Sequence, residues 1–338
     1  MKAVALTRYL PISDPDSLVD VELEPPVARG RDLLVKVEAI SVNPLDTKIR
    51  VSKTTTEDKP RVLGWDAAGT VAAVGPEVSL FKPGDAVYYA GNVMRPGANS
   101  ELHLVDERIV GHKPTTLDFP RAAALPLTTI TAWEGLFDRL GISPRGEHAG
   151  HSVLIVGGAG GVGSIAIQLA KQLGKQVVIA TASRPESIAW CRERGADHVV
   201  DHTGDLVAQV RAAGMKWVDT IFCCNALDKH FPAMAELLAP QGRICSIVEH
   251  LQPLPMNLLR PKCGTFVWEA MFARSNFLTP DMIEQHRLLD QTAGLVDSGI
   301  LVTTIAENLG AINAANLKRA HALLEAGHTV GKLVLAGF

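Results

Sequence analysis

The spacing of apolar positions changes character along this chain. Between residues 150 and 275, short runs recur that are apolar almost throughout: Val153–Val156, Val177–Ala180, Val199–Asp201, Trp217–Cys223, Gly242–Val248 and Thr265–Phe272. Such runs suit strands covered on both faces of a parallel sheet. Helix-period segments, Pro185–Arg194, Leu206–Ala213 and Lys229–Leu238, lie between them. The alternation predicts βαβ units in a doubly wound parallel sheet, with a binding crevice at the carboxyl ends of its strands. The first 125 residues read differently. Lys2–Thr7, Asp32–Ile40, Gly69–Val74, Ala86–Tyr89 and Ser100–Val105 are short strand candidates, divided by turn signals such as Pro25-Pro26 and Lys82-Pro83-Gly84-Asp85. Phe119–Leu127 and Thr131–Leu140 are helical in period and form a bridge. From residue 277 a helix Pro280–Ser298, a strand Leu301–Ile305, a helix Ala311–Ala326 and a strand Gly331–Leu335 follow. A tail of this kind returns to pack on the first domain. The expected domains are therefore residues 1–125 with 277–338, and residues 126–276.

The first parallel strand leads into the most informative stretch, VLIVGGAGGVGSIAIQLAKQL at Val153–Leu173. Gly158, Gly160 and Gly163 have G-x-G-x-x-G spacing, with Gly161 and Val162 between them where a helix begins. The three glycines answer a tight turn, a close backbone approach to a diphosphate, and close helix–strand packing. The new helix points free N–H groups and its positive dipole end at the phosphates. A following apolar strand places the turn in a βαβ unit, so dinucleotide binding is expected over a purely structural turn.

Composition narrows the field by exclusion. At 338 residues the chain exceeds one typical core, which agrees with two domains. A net charge of −3 gives no reason to expect nucleic acid or an anionic membrane as partner. The N-terminal MKAVALTRYL lacks the apolar core of a signal peptide, and the cytoplasm is the expected location. The five cysteines, Cys191, Cys223, Cys224, Cys245 and Cys263, form no C-x-x-C pair, so neither a disulfide framework nor a structural zinc site is expected.

Taken together, Ser41–Asp46, Gly64–Gly75, Phe81–Asp85, the glycine turn and His328–Leu335 resemble the medium-chain dehydrogenase/reductase superfamily, most closely its quinone oxidoreductase-like branch. The resemblance runs in colinear order over essentially the whole chain. It implies a GroES-like β-rich catalytic domain and a Rossmann domain for NAD(P)H. It also implies a homodimer or homotetramer, with the Thr265–Phe272 strands pairing across an interface.

For the cofactor, an NAD-preferring Rossmann unit places a carboxylate at the end of the second strand to hold the ribose hydroxyls. Here that place reads Thr181-Ala182-Ser183-Arg184. Hydroxyls at Thr181 and Ser183 and the Arg184 guanidinium suit a 2′-phosphate, so NADPH is expected; in the alternative, Glu186 reaches the ribose. By strand order Asn225 lines the nicotinamide half of the crevice. By resemblance Thr131 lies near the nicotinamide and Lys332 near the cofactor, although Lys332 reads equally as a surface lysine.

The superfamily's alcohol dehydrogenases hold a catalytic zinc through a cysteine in the first domain and a Gly-His-Glu motif. This chain has no cysteine before Cys191, and the motif's place reads Gly64-Trp65-Asp66. No zinc is expected at either site, and His103, His112, His148 and His151 are read as surface or structural. Without a Lewis acid an alkoxide is hard to stabilise. A quinone or enone accepts hydride more readily. The resemblance places Asn43 and Asp46 of Asn43-Pro44-Leu45-Asp46 at the active-site floor, Asn43 as a donor and Asp46 as an orienting group. Lys48 stands where some quinone reductases carry a tyrosine, and would donate a proton only if burial depresses its pKa. Trp65 is either an aromatic wall for a flat substrate or a packed core residue. The expectation is a zinc-independent, NADPH-dependent reductase of a small quinone or α,β-unsaturated carbonyl. Its rivals are a zinc-dependent alcohol dehydrogenase with unconventional ligands and a non-enzymatic NADPH-binding protein.

Overall fold

The computed structural model describes residues 1–338. The chain forms two compact units, Met1–Leu127 with Phe272–Phe338, and Thr128–Met271. The first unit opens with β1 (Lys2–Arg8), β2 (Val19–Glu22), β3 (Asp32–Val42), helix α1 (Pro44–Arg50), β4 (Thr56–Val62), β5 (Ala67–Val74), β6 (Ala86–Tyr89), β7 (Leu102–Asp106), β8 (Val110–His112) and helix α2 (Phe119–Ala123). Helix α3 (Pro126–Trp133) runs on into a π-helical segment, Glu134–Arg139. The second unit then alternates: β9 (Ser152–Val156), α4 (Gly161–Gln172), β10 (Val177–Thr181), α5 (Pro185–Glu193), β11 (His198–Val200), α6 (Leu206–Ala212), β12 (Val218–Cys223), α7 (Leu227–Leu237), β13 (Leu238–Ser246) and β14 (Thr265–Trp268). Helices α8 (Ala273–Asn276) and α9 (Glu284–Asp297), strand β15 (Ile305–Asn308), helix α10 (Ala314–Glu325) and strand β16 (Lys332–Ala336) complete the first unit.

In the second unit all neighbouring strands run parallel, in the order β11-β10-β9-β12-β13-β14. Every residue of β9 is buried, as its unbroken apolar run requires. Leu154 and Val156 pack with Ile179, Ile221, Phe231 and Ile244 in one core. Strand order reverses between β9 and β12. A ligand crevice in such a sheet lies at this reversal, outside the carboxyl ends of the two strands.

The first unit carries two antiparallel arrangements. One is the three-stranded β2-β1-β4; the other runs β15-β16-β3-β5-β6-β8, with β7 also paired to β3, and is antiparallel except for the parallel pair β15–β16. The C-terminal strand β16 pairs antiparallel with β3, Leu333 opposite Val42 and Leu335 opposite Ile40. The tail therefore completes the sheet from which α1 departs. Helix α9 packs on β8, and the buried Tyr88 hydroxyl donates to the Leu289 carbonyl at 2.6 Å. No helix of the chain is long and apolar enough to cross a membrane.

Several expected boundaries are corrected. The strand expected at Leu301–Ile305 lies at Ile305–Asn308, where it pairs with β16. The sixth parallel strand stops at Trp268, and the helix expected from Pro280 starts at Glu284, after a turn tied by an Arg274–Asp281 ion pair of 3.0 Å. The helix expected at Thr131–Leu140 begins five residues earlier, at Pro126, and changes winding at Glu134. Strand β4, Thr-Glu-Asp-Lys-Pro-Arg-Val, had no strand signal because charges and a proline fill it; as an edge strand it tolerates both.

Replacing Tyr88 by Phe is expected to cost about 1 kcal/mol, the net worth of one buried hydrogen bond. A chemical-denaturation midpoint lowered with unchanged slope will check it; no change would mean that the hydroxyl does not anchor α9.

Candidate active site and dinucleotide cradle

The glycine turn is tied to both strands that flank β9. The Gly157 N–H donates to Thr181 Oγ1 at 2.9 Å and the Gly158 N–H to the Thr181 carbonyl at 3.1 Å. On the other side the Cys224 N–H donates to the Val156 carbonyl at 2.9 Å. The three motif glycines then separate by what a side chain would meet. A Cβ on Gly158 would stand 2.8 Å from Ala180 Cβ and 3.0 Å from Cys191 Sγ, and one on Gly163 would stand 2.2 Å from the Gly157 carbonyl oxygen. Packing alone forbids both. A Cβ on Gly160 would meet nothing nearer than the Gly157 oxygen at 3.6 Å, and its φ of −71° suits any residue. The fold has room for a side chain at 160, so packing does not require this glycine. Gly160 caps α4 without a side chain, and the first-turn N–H groups at Gly161, Val162 and Gly163 have no intrahelical acceptor. These residues fit a dinucleotide diphosphate.

Around the turn, the structure redistributes the expected roles. Thr181 is buried and its hydroxyl accepts from Gly157, so it shapes the turn. Ser183 and Arg184 are half-buried at the start of α5. The Arg184 Nε lies 3.3 Å from Glu186 Oε1, and the Ser187 hydroxyl accepts from the Arg184 N–H at 3.1 Å. Asn225 is exposed, its Cβ 3.2 Å from the position a Cβ on Gly157 would take. Thr131 is buried in α3. A contact that spacing did not reveal joins the two helices flanking the turn: the Trp190 indole N–H donates to Ser164 Oγ at 2.7 Å.

The first unit holds a separate buried polar cluster. Asp66 is fully enclosed and accepts from the Leu127 N–H at 2.9 Å and from Asn43 Nδ2 at 3.0 Å. Lys332 Nζ lies 3.1 Å from Asp66 Oδ2 and also donates to the Val42 carbonyl at 3.0 Å and to Asn43 Oδ1. Lys332 is 3% exposed, which overturns its reading as a surface lysine. Since Lys332 only donates and ionised Asp66 only accepts, the two fix the orientation of the Asn43 amide. One Nδ2 hydrogen of Asn43 remains to be donated. Asp46 Oδ2 accepts from the Asn43 N–H at 2.7 Å, while the buried Asp46 Oδ1 has no partner. Burial pushes Asp66 upward against the pull of the Lys332 ammonium. Burial also raises Asp46 from its ordinary 3.8 to about 7, opposed by the Asn43 N–H and Lys332. Lys48 points away as an exposed residue of α1, without the burial that a proton-donor role required of it. Trp65 is 1% exposed and donates its indole N–H to the Asn92 carbonyl at 3.0 Å, so it is a packed residue. Asp66 is the member that sequence reasoning missed. Its signal was a carboxylate inside the apolar run Trp65–Ala68, which needs a buried partner.

Comparison with known proteins agrees with this architecture. The Alcohol dehydrogenase GroES-like domain family matches residues 29–115, and the Zinc-binding dehydrogenase family matches residues 161–275. The chain is 44% identical over 336 residues to a zinc-type alcohol dehydrogenase-like protein of Staphylococcus aureus (strain MSSA476), covering 99% of each. It is 32% identical over 333 residues to a quinone oxidoreductase of Pseudomonas aeruginosa, covering 97% of this chain and 98% of that one. A crystal structure from Rhizobium etli CFN 42, assigned to the zinc-dependent alcohol dehydrogenases, superposes with a TM-score of 0.96 at 52% identity, over 100% of this chain and 98% of that one. A β-rich GroES-like unit joined to a Rossmann unit defines an oxidoreductase. The chain belongs to the medium-chain dehydrogenase/reductase superfamily, in its quinone oxidoreductase-like branch.

Several of these names imply zinc, and the residues present do not fit it. Trp65 stands at the imidazole's place with its only polar atom spent on Asn92. Asp66 faces an ammonium group, Lys332. No three His, Cys, Asp or Glu side chains converge to hold a metal ion. His103 is buried between Tyr89 and the Pro96 carbonyl, and His112 pairs with Asp290.

The raised Asp46 pKa has a defined sign in stability. The folded protein keeps a proton that the unfolded chain releases above 3.8, so the contribution of Asp46 to stability is fully present below that pH and is lost as pH rises toward 7. The slope is at most about 1.4 kcal/mol per pH unit. Asp46→Asn mimics the neutral carboxyl and is expected to flatten this slope in denaturation midpoints taken across the window. An unchanged slope would show that Asp46 is ionised throughout.

Proposed function

We propose that this oxidoreductase is a zinc-independent, NADPH-dependent reductase acting on a small quinone or α,β-unsaturated carbonyl. One observation carries the reading: the place where a zinc-dependent relative would present its imidazole holds packed Trp65 and the Lys332–Asp66 pair, while Gly160 keeps a cradle open for a dinucleotide. NADPH, when bound, would supply a hydride, and the acceptor would take that hydride together with a proton from solvent. Gly158, Gly160, Gly161, Val162 and Gly163 would hold the diphosphate. Asn43 offers its spare N–H to the acceptor oxygen, where negative charge develops and where a quinone or enone delocalises it. Asp46 holds Asn43 through its backbone N–H, and its burial favours the protonated form. The Pseudomonas aeruginosa relative, named a quinone oxidoreductase, supports this substrate class.

The preference for NADPH rests on the absence of a carboxylate at the end of β10 and on Arg184 beside it. Glu186 is the competing group, and at 59% side-chain exposure it is free to swing away when a 2′-phosphate arrives. The cytoplasm remains the proposed location. A homodimer or homotetramer is proposed through the open edge of β14, where Trp268 is 45% exposed.

The test is NADPH oxidation followed with a panel of quinones and enones, with and without a strong chelator. Turnover at equal rates in both is expected, and Gly160→Val is expected to be silent while melting as the parent does. Loss of activity on chelation would support the zinc-dependent rival; silence across the panel with NADPH bound would support the non-enzymatic one. Arg184→Asp is expected to weaken NADPH at least tenfold relative to NADH in calorimetric titration, about 1.4 kcal/mol. Equal NADPH affinity in the variant would remove Arg184 from the 2′-phosphate site.

A further inference from the structure

A cavity of about 320 Å³ opens in the first unit between edge strand β4 and the loop at residues 93–96. Its lining is strongly cationic: Lys53, Lys59, Arg61 and Arg95 face it, against Glu57 alone. Lys59, Pro60, Arg61 and Val62 follow one another along the rim, where the pairing of β4 with β1 shifts register. Glu57 is already engaged, accepting from the Tyr9 hydroxyl and from Lys53 Nζ at 3.1 Å. Arg61 donates to the Tyr9 hydroxyl at 2.8 Å, and Arg95 reaches Asp32 at 2.7 Å. Lys59 makes no ion pair. A chain of net charge −3 thus concentrates positive charge in one concavity, which focuses the field on an incoming anion.

The facing wall is apolar and fixed. Met94 is 77% exposed at the mouth of the cavity, an apolar shelf beside the cations. The loop is held at both ends. Trp65 donates to the Asn92 carbonyl at 3.0 Å, and His103 Nε2 lies 2.9 Å from the Pro96 carbonyl, which can only accept. The Met94 N–H is bound by Asn92 Oδ1 at 2.7 Å. A preformed cavity loses little ordering entropy when a ligand enters.

The cavity is coupled by chain geometry to the Asn43 cluster. Helix α1 begins just after Asn43 and ends at Arg50; its seven residues span about 10 Å, and Lys53 follows three residues on. Trp65, which holds the loop, directly precedes Asp66 of the cluster.

We propose that this cavity docks an oxyanion carried by the acceptor itself. The substrate class is then a quinone or enone with an apolar tail, about as long as α1 (~10 Å), ending in a carboxylate or phosphoryl group. The assignment rests on the reductase reading; the cationic cavity itself does not.

The experiment compares an enal bearing a terminal carboxylate on an alkyl tail of that reach with its methyl ester, using the full chain and NADPH. The acid is expected to show about tenfold higher kcat/KM, expressed in KM and shrinking as salt is added. Lys59→Glu is expected to erase the preference and leave ester turnover unchanged. Equal kcat/KM for acid and ester in the parent, or a preference surviving in Lys59→Glu, overturns the inference and leaves the reductase reading intact. Should neither compound be reduced, calorimetric titration of the acid decides. Binding to the parent but not to Lys59→Glu sustains the anion site and defeats the reductase reading, whereas no binding to the parent overturns the inference.

Discussion

The ion pair between Asp66 and Lys332 is the constraint on which the first unit depends. Two charges removed from water are favourable only when their remaining hydrogen-bonding capacity is met. Here it is met from separate segments: the Leu127 N–H, the Asn43 amide and the Val42 carbonyl. One charge pair therefore fixes the end of β3, the start of α1, the entry to β5 and the first residue of β16 against one another. Asn43 is held on both sides of its amide, and what is left over is small and defined: one N–H on Asn43 and one bare oxygen on Asp46. A site that must orient an acceptor needs such rigid, partly unspent groups.

The same pair is chemically unlike a zinc site. A zinc ion polarises a carbonyl by accepting its lone pair. An ammonium group buried against a carboxylate cannot do that; it supplies charge and hydrogen-bond donors. Trp65 seals the neighbouring space and ties down the Asn92 backbone.

Much of the fold was legible because its strongest elements are those with the least ambiguous patterns. Strand β9 is buried throughout and reads as an apolar run, and its neighbour β10 is nearly so. Strands β2 and β4 escaped notice because edges are short or polar by necessity, as Val-Asp-Val-Glu and Thr-Glu-Asp-Lys-Pro-Arg-Val show. At the glycine turn, spacing located the motif but could not divide its labour: only the space around each Cβ separates Gly158 and Gly163, required by packing, from Gly160, which packing leaves free. Residue type also failed to report direction. Thr181 looked like a ligand hydroxyl and points into the turn; Lys332 looked like either a surface or a cofactor lysine and lies buried on Asp66. Such assignments depend on partners far away in the chain, which local patterns do not contain.

That separation has a consequence for how the protein is made. Lys332 bonds Asn43 across 289 positions, whereas Thr128–Met271 is one continuous stretch. During vectorial synthesis the Rossmann unit can close as soon as its own residues clear the ribosome. The GroES-like unit waits, with Asp66 lacking its counter-charge, until Lys332 has been translated. The half that begins first is finished last, and nascent chains stalled before β16 would expose an acidic, half-built sheet to chaperones and proteases.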